Sequence, residues 1–334
     1  MNRKKSRMIN YFAVPSIALL LSACGGGGDG ASTGSLSVSV TDAPAPDVEA
    51  VCIHFMGITL HHSDGDLIPI PYDPSLYVDD TGFCVNTGDP ANNAVNLSSL
   101  QGELSVALMD SVDVKAGFYN WIRLDVDESL SYVVDSTGPN NLSCPSCDGE
   151  QSGLKLNRGI VVPAGGEANF IIDLDLAKSL NKDTAGDYKL RPTLRLVDMT
   201  ETGKITGTVE GSLIPGQGTD AETGCSVYVY AGYDAIPDDY HDGDNVLTSA
   251  KVVYDGASYK YTAAYLDSSN DPSLYTVALT CDVDTEVNQN NDALNLDGTG
   301  TDVIFTDGNE DGVGQNADVT TDQTTTRDFP PSVI

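Results

Sequence analysis

Hydrophobic residues alternate with polar ones along most of this 334-residue chain, and this period of two restricts the fold more than any other feature. In segment 35–40, three serines alternate with apolar residues, and the same pattern recurs in segments 121–127, 169–176 and 189–196. Such alternation is typical of strands with one face on a core and the other in water. Turn residues such as Gly and Asn separate the runs. The pattern therefore predicts an all-β chain, built as antiparallel sandwiches or a partly closed barrel.

The N-terminus has the pattern of an export signal. Four basic residues within positions 3–7 precede a short apolar run at 13–21, about half the length needed to cross a bilayer. The run ends in LSAC, the pattern of a lipobox, in which the final cysteine receives the lipid. We therefore expect residues 1–23 to be a lipoprotein signal peptide and Cys24 to be lipidated. The alternative is an ordinary signal peptide with a cysteine nearby by chance.

A Gly-rich segment follows the cysteine and predicts a tether. Residues 24–33 have few side chains that could build a core, which is typical of a flexible linker. Several acyl chains on Cys24 would anchor the protein stably, so the membrane is an expected partner. Gly25, rather than Asp, follows the cysteine, a pattern that favours transport to the outer membrane of a Gram-negative bacterium. The expected location is the cell envelope.

The formal net charge of −32 limits the partners of the chain. Residues 1–23 contain four basic and no acidic residues, so their removal would change the charge from −32 to −36. A surface this acidic repels nucleic acid and anionic lipid, so neither is an expected ligand. The chain is nevertheless unlike a disordered acidic tail, because 40% of its residues are apolar. About 300 mature residues predict two domains.

Six cysteines remain after Cys24, and an even number in an oxidising compartment predicts three disulfides. The CPSC motif favours a bond closed within its own loop, which leaves one pair for each predicted domain. A redox role for this motif is disfavoured because loop residues, not a helix N-terminus, flank it. Zinc would need a second ligand pair, and no cofactor is expected. The expected pairs are Cys52–Cys84, Cys144–Cys147 and Cys225–Cys281.

Several segments of the first half, taken in order, resemble one family of bacterial lipoproteins. They are GSLSVSVTDAP, VCIHFMGITLHHSDG, NLSSLQG, KAGFYNWIRLDVD, SGLKLNRGIVVPAGGEANFIIDLDLAKSL and YKLRPTLRLVD. The stretch from Gly34 to Asp198, about half of the chain, resembles the domain of unknown function family DUF4382 on these motifs. The resemblance implies an exported, mostly β domain. It brings no established activity and no catalytic motif.

A second unit is expected to begin near residue 200, with almost no linker before it. Its first strand has a GxIxGxV-type pattern, and a late strand reads YTVAL. This order resembles the small prealbumin-like sandwich called carboxypeptidase-regulatory-like, or the related carbohydrate-binding-like fold. The predicted architecture is therefore two consecutive β-sandwich domains, at 34–199 and 200–334, after the signal peptide and the tether.

Two pairs of aspartates stand two residues apart on predicted strands, Asp125 with Asp127 and Asp173 with Asp175. Alternation predicts that both pairs lie on outward, solvated faces, where they form ion pairs with nearby arginines. The alternative is a glycosidase site, which needs two carboxylates across a bound sugar and burial that raises the pKa of one of them. The arginines available as partners are Arg123, Arg191 and Arg195.

Acidic loops in the second half are the candidate metal site. They offer the hard oxygen ligands that calcium prefers, although the spacing of an EF-hand is absent. In a chain with 49 acidic residues, Asp-Gly turns also arise without a metal, and solvated turns are the favoured interpretation. The candidate calcium ligands are Asp242, Asp244, Asp307, Asn309 and Asp311.

Tyrosines are concentrated in the second half, and two pairs of them each share a predicted strand face. An exposed row of tyrosines can stack on sugar rings or contact another protein, and these four are the candidate binding residues. The alternative is ordinary cross-strand packing, for which tyrosine is also favoured. The two pairs are Tyr228 with Tyr230 and Tyr259 with Tyr261.

The sequence shows no nucleophile motif in a suitable context, no metal triad and no cofactor loop. We therefore expect a non-enzymatic, membrane-anchored lipoprotein that presents a binding or adhesive surface to a glycan or protein ligand. One alternative is a carbohydrate-binding protein that uses the tyrosines of the second domain. The other is a hydrolase that uses one of the aspartate pairs.

Overall fold

A computed structural model of the chain describes most residues between Ser32 and Phe329. The predicted signal peptide, Cys24 and all five candidate calcium ligands lie outside the described residues, so lipidation and calcium binding stay predictions. The described residues are 32–43, 48–77, 79, 81–85, 94–147, 154–183, 186–215, 222–237, 246–270, 272–281, 305–306 and 314–329.

Strands dominate the first half, where they follow the alternating segments of the sequence and confirm the predicted all-β fold. The strands described before residue 199 are β1 (Thr33–Ala43), β2 (Ala50–Ile53), β3 (Phe55–His62), β4 (Leu67–Pro71), β5 (Val95–Asn96), β6 (Val106–Lys115), β7 (Gly117–Val126), β8 (Tyr132–Asp135), β9 (Gly138–Ser143), β10 (Leu154–Leu156), β11 (Ile160–Val162), β12 (Glu167–Asp175), β13 (Leu180–Lys182), β14 (Tyr188–Leu190) and β15 (Leu194–Asp198).

These strands form three sheets. The first has the order β15-β12-β1-β6, the second has the order β10-β7-β3-β4 with β11 also paired to β7, and the third has the order β13-β14-β9-β8-β2-β5. Most neighbours are antiparallel, but β1 with β12 and β9 with β14 are parallel, which differs from the predicted arrangement. A parallel pair needs a long crossover. The chain between β1 and β12 provides one, because ten other strands form within it.

One hydrophobic core is shared by the three sheets. Leu36 and Val38 of β1, Ile122 and Leu124 of β7, and Val133 of β8 are all 0% exposed. Those of β1 and β7 are the apolar members of alternating runs, so the period of two correctly identified the inward faces of these two strands. Burying a side chain of this size contributes about 1.5–3 kcal/mol to the free energy of unfolding.

A fourth sheet contains every strand described after residue 199, in the order β21-β20-β17-β18-β19-β16-β23 with β22 also paired to β20. It has a core of its own, which includes Val227, Val229, Val252 and Val277. The predicted domain boundary between 199 and 200 stays a prediction. The strands are β16 (Thr202–Val209), β17 (Glu222–Ala231), β18 (Val246–Tyr254), β19 (Tyr259–Asp267), β20 (Ser273–Thr280), β21 (Phe305–Thr306), β22 (Gln315–Val319) and β23 (Thr324–Thr326).

Three disulfides bond the pairs that the sequence predicts. Two of them close loops, with sequence separations of 32 and 56 residues, and the third closes the CPSC loop over a separation of 3. Such cross-links restrict the unfolded chain, and the stabilisation increases with loop length. The bonded pairs are Cys52–Cys84, Cys144–Cys147 and Cys225–Cys281.

Helical structure is limited to single turns in the part of the chain that the structure describes. The α-helix α1 (Leu176–Ser179) follows β12 directly and is capped by Asp175. None of the helices described is long and apolar enough to span a bilayer. The 3₁₀ turns are Pro74–Leu76, Leu97–Ser99, Glu128–Leu130, Met199–Glu201 and Gly211–Leu213.

Candidate functional site

The end of strand β12 carries two buried aspartates, Asp173 and Asp175, each 4% exposed. Asp173 lies opposite Arg195 in the register between β12 and β15. Arg195 Nη2 donates a hydrogen bond to Asp173 Oδ2 at 2.7 Å. A guanidinium group suits this position because its fixed fork of donors matches a carboxylate and remains charged. One buried charge is therefore compensated by another.

Asp175 has a different role, because it caps α1. Its Oδ1 accepts a hydrogen bond from the backbone N–H of Lys178 at 3.1 Å, as N-cap aspartates do. Its Oδ2 is buried without a hydrogen-bond partner, and Lys178 Nζ lies 3.8 Å from it. Burial raises the pKa of Asp175 from 3.8 to about 7, and the charge of Lys178 opposes that shift only in part.

A third buried carboxylate, that of Asp42, lies beside these two at the end of β1. The parallel register of β1 and β12 pairs Asp42 with Leu174. Asp42 Oδ1 accepts a hydrogen bond from the N–H of Leu176 at 3.1 Å, while its Oδ2 is buried without a hydrogen-bond partner. Burial raises the pKa of Asp42 well above its usual value, and the neighbouring charge of Asp173 raises it further.

The predicted solvated position of Asp173 and Asp175 is wrong, because the fourth sheet covers that face of β12. Arg195 Nη1 donates to the carbonyl oxygen of Tyr265 at 3.0 Å, and Lys178 Nζ donates to the carbonyl oxygen of Val246. Both acceptors belong to strands of the fourth sheet. Alternation separates the two faces of a strand, but it does not show which later element packs on the polar face.

The first aspartate pair does lie where the sequence predicts. Arg123 Nε donates to Asp125 Oδ1 at 2.7 Å, and the side chains of Arg123 and Asp125 are 17% and 22% exposed. Asp127 Oδ1 accepts a hydrogen bond from the N–H of Ser129 at 2.9 Å and so caps the 3₁₀ turn that follows β7. Neither carboxylate is fully buried, so neither is placed in the low-dielectric surroundings that a catalytic acid needs.

Two adjoining cavities form a groove beside the buried carboxylates, with volumes of about 830 Å³ and 510 Å³. They share Lys155, Pro192 and Leu194 as lining residues. The larger cavity lies between β10, β15 and the ends of β17 and β18. The smaller one reaches the disulfide loop that follows β9. Cavities of this size are typical of ligand sites.

The lining of this groove is cationic, and we call it the basic groove. Within the described residues, its lining includes no carboxylate side chain. Two of its cations, Lys178 and Arg195, lie over the buried aspartates and pair with them. The cationic lining residues are Lys155, Arg158, Lys178, Arg191 and Arg195.

Three of these cations lie in the groove without a counter-ion among the described residues. Lys155, Arg158 and Arg191 are exposed, and the ion pairs between described residues involve other cations. Arg158 Nη1 donates to the carbonyl oxygen of Leu196, and Lys155 Nζ lies 4.3 Å from the ring centroid of Trp121. The side chains of Lys155 and Arg158 are therefore held in place without an ion pair to a described residue, and such an arrangement can bind an anion.

The four tyrosines predicted to form a binding row are not an exposed surface. Tyr228 and Tyr230 are 0% exposed and pack with Ala177 of α1, while Tyr261 is 1% exposed in the core of the fourth sheet. Tyr259 is half-buried against the same core. The two pairs thus lie on opposite faces of the sheet, and both faces are covered by apolar neighbours. Stacking of sugars on Tyr228, Tyr230 or Tyr261 is excluded by this burial.

No metal centre can be assigned in the ranges that the structure describes. There, no group of three or more His, Cys, Asp or Glu side chains is arranged to hold a metal ion. The three buried carboxylates of Asp42, Asp173 and Asp175 therefore do not form such a group. Calcium binding by the acidic loops stays a prediction, because the candidate ligands lie outside these ranges.

The sequence motifs do not predict the basic groove, although the distribution of charge along the chain carries a signal for it. The stretches 151–166 and 188–197 contain no acidic residue, in a chain that has 49 acidic and only 17 basic residues. Local reversal of charge against such a background is a sign of a binding surface. The basic residues in these two stretches are Lys155, Arg158, Lys189, Arg191 and Arg195.

Comparison with known structures reveals only distant likeness. The chain is 9% identical to the Bacillus anthracis TIE protein, with a TM-score of 0.18. The match covers 89% of this chain and 33% of that protein. It thus spans about a third of the length of that protein. The minor pilin GBS52 of Streptococcus agalactiae is 9% identical, with a TM-score of 0.16, and 90% of this chain covers 98% of it. A double mutant of the shaft pilin SpaA from Lactobacillus rhamnosus GG is 10% identical, with a TM-score of 0.16 and coverages of 90% and 100%. TM-scores this low do not establish a common fold.

Comparison with sequence families gives a clearer result for the first half. No curated protein matches the chain. The family described as Domain of unknown function (DUF4382) matches residues 33–192, which contain strands β1 to β14, α1 and four of the five cations of the groove. The matched region ends before the fourth sheet, so the resemblance of the second half to a carbohydrate-binding-like sandwich stays a prediction. Residues 33–192 of this chain form a domain of the DUF4382 family.

Proposed function

We propose that this protein is a non-enzymatic binding module of the cell envelope, anchored through lipid on Cys24, and that the basic groove holds an anionic ligand. The observation that carries the proposal is a set of three cations, Lys155, Arg158 and Arg191, that form no ion pair within the described part of a chain of net charge −32. An exposed cation in such a chain has many carboxylates within reach of the same surface. Three together without an ion pair favour a site kept open for an external anion.

The position of the carboxylates supports binding rather than catalysis. Asp173 and Asp175 do not line the groove, whereas Arg195 and Lys178, which pair with them, do. A carboxylate that acts as general acid or nucleophile must come within hydrogen-bond distance of its substrate. In this structure the cations face the groove and the aspartates lie behind them. The two aspartates hold Arg195 and Lys178 in place.

The groove is tested with a panel of soluble polyanions: dextran sulfate, polygalacturonate and poly-L-glutamate. We expect at least one of them to bind the purified chain lacking residues 1–24, and the triple substitution Lys155→Gln, Arg158→Gln, Arg191→Gln to weaken that binding at least about tenfold, which is about 1.4 kcal/mol. Isothermal titration calorimetry measures the Kd. Circular dichroism verifies that each variant is folded.

A matched control removes three cations elsewhere. The substitutions Lys189→Gln, Lys204→Gln and Lys260→Gln change the net charge by the same amount, and each lysine lies in an exposed ion pair outside the groove. Equal weakening by both triple variants would show that only net charge matters and would overturn the proposal, as would failure of all three polyanions to bind.

The proposed lipid anchor and the outer-membrane location are tested separately. Expression of the full chain in a Gram-negative host with an alkyne-tagged palmitate should label the wild type, and Cys24→Ser should abolish the label and release the protein from the outer-membrane fraction. An unlabelled wild-type chain would overturn the anchor and leave the groove proposal unaffected.

A further inference from the structure

We infer that the ligand of the basic groove is a linear polysaccharide that carries carboxylates. This inference rests on the proposed function, because it names the chemical class of the anion that the groove would bind. The ligand classes in competition with it are an acidic peptide, a nucleic acid and a sulfated polymer. The shape of the groove, its lining and the hydrogen bonding at the edge of strand β15 together favour the acidic polysaccharide.

The shape of the groove fits a chain better than a compact ion. Its two cavities adjoin at Lys155, Pro192 and Leu194, and together they run from the disulfide loop after β9 to the first residues of β18. The unpaired cations are distributed along this course, with Arg191 lining one cavity, Arg158 the other and Lys155 both. A small anion would contact one of these positions, whereas a polymer with repeated charges can contact all of them at once.

The lining of the groove offers the contacts that an acidic sugar chain needs. Arginines bind carboxylates through two parallel hydrogen bonds, and Asn157 and Thr193 add neutral polar groups suited to hydroxyls. Pro192 and Leu194 provide apolar surface between the cations for the C–H faces of sugar rings. The lining thus combines apolar surface with placed polar and charged groups, as ligand sites do.

The strand edge in the groove disfavours a peptide. Strand β15 is the edge of its sheet, and an extended peptide would bind such an edge by adding a further strand. The backbone carbonyl of Leu196, which points away from β12, already accepts a hydrogen bond from Arg158. A peptide would have to displace Arg158 to continue the sheet, and would thereby lose one of the three cations that attract it. A polysaccharide requires no strand edge.

Nucleic acid is disfavoured by charge beyond the groove. The net charge of −32 repels a nucleic acid duplex, which carries one charge per about 1.7 Å of its axis, at distances up to about 8–10 Å at physiological salt. A polyuronate carries one charge per sugar ring and its remaining contacts are neutral hydroxyls, so the same repulsion is weaker. The groove is thus matched to a polymer of moderate charge.

The decisive measurement compares polygalacturonate with three relatives of it: the fully methyl-esterified polymer, poly-L-glutamate and dextran sulfate. We expect polygalacturonate to bind the wild-type chain at least about tenfold more tightly than each of the others. Methyl esterification removes the charge and leaves the sugar backbone, so it isolates the carboxylate. The triple variant at Lys155, Arg158 and Arg191 should lose at least tenfold in affinity for polygalacturonate, and the matched triple control should not.

A double variant, Lys155→Gln with Arg191→Gln, keeps the contact of Arg158 with Leu196. A loss of binding in this variant therefore cannot result from a structural change caused by the loss of that contact. The double variant should also weaken polygalacturonate binding. Equal binding of poly-L-glutamate or dextran sulfate, lost in the triple variant, would overturn the polysaccharide inference and leave the anion-binding groove intact. Equal binding of the methyl ester would exclude a role of the carboxylates. Absence of groove-dependent binding by every polymer would overturn both proposals.

Discussion

Two aspartate pairs with the same spacing and the same local roles have different surroundings in this protein. In each pair the first aspartate binds an arginine at 2.7 Å, Asp125 with Arg123 and Asp173 with Arg195. In each pair the second aspartate caps a helical turn that follows the strand. Yet the side chain of Asp125 is 22% exposed, whereas that of Asp173 is 5% exposed. The local pattern is thus the same, and only the burial differs.

The difference shows that burial of a polar strand face depends on a distant part of the chain. The face of β7 that carries Asp125 remains accessible to water. The corresponding face of β12 is covered by the fourth sheet, which accepts hydrogen bonds from Arg195 and Lys178 at backbone carbonyls. Water is thereby removed from Asp173 and Asp175, and every electrostatic interaction there becomes stronger and every unpaired charge more costly.

Substitution of the two arginines should give the largest difference in stability between the two aspartate pairs. Arg195→Met would leave the carboxylate of Asp173 buried without its partner and should lower the free energy of unfolding by about 3–5 kcal/mol. Arg123→Met should cost about 1 kcal/mol or less, because water can solvate Asp125. Urea denaturation of both variants at neutral pH measures the two losses. Equal losses would show that the two pairs share the same dielectric surroundings, contrary to the structure.

The pH dependence of stability should also distinguish the buried aspartate pair from the accessible one. The pKa of Asp175 is about 7 in the folded chain and near 3.8 when unfolded, so the folded chain holds this proton more tightly. The free energy of unfolding should therefore fall as the pH rises from about 4 to about 7, and Asp42 acts in the same direction. Asp175→Asn should reduce this fall by more than about 1 kcal/mol, since one pKa unit corresponds to about 1.4 kcal/mol.

The control for this measurement is Asp127→Asn, because Asp127 is the second member of the accessible pair and its hydrogen bonds lie in an exposed turn. Asparagine keeps a capping oxygen at both positions, so helix capping is preserved in both variants. Denaturation across the same pH range should show a larger change of slope for Asp175→Asn than for Asp127→Asn. An unchanged slope for Asp175→Asn would contradict the raised pKa of Asp175.

The smallest expected effect concerns the exposed cap. Asp127→Ala removes the acceptor for the N–H of Ser129 and should cost about 1 kcal/mol. Asp127→Ser keeps a side-chain oxygen at the same position and should recover most of the loss. Thermal unfolding of the two variants provides the measurement. A loss of several kcal/mol for Asp127→Ala would show that this turn is as deeply buried as α1.

Much of the fold was predictable because it depends on short-range patterns. Residues such as Leu36 and Ile122 are core residues in alternating runs, and the Cys144–Cys147 bond follows from proximity in the chain, which leaves one cysteine pair for each predicted domain. The basic groove was not predicted, because Lys155, Arg191 and the residues at the start of β18 are far apart in sequence and become its lining only when the sheets are assembled. Local charge reversal was the one signal available, and it was present in 151–166 and 188–197.

The tyrosines illustrate the same limit. Their alternation correctly predicts that Tyr228 and Tyr230 share one strand face, but α1 covers that face. A tyrosine has the same strand propensity whether its ring is in water or in a core, so its sequence context cannot distinguish a binding row from packing.

The sequence by itself determined the strands, their inward faces, the disulfide pairs and the membership of residues 33–192 in the DUF4382 family. These properties depend on side-chain period, on the number and order of the cysteines and on motif order. Only the tertiary structure decided that Asp173 and Asp175 are buried, that β1 and β12 run parallel and that Lys155, Arg158 and Arg191 lie in one groove. The physical reason is that burial and charge proximity depend on contacts between residues distant in sequence, and alternation along a strand carries no information about those contacts.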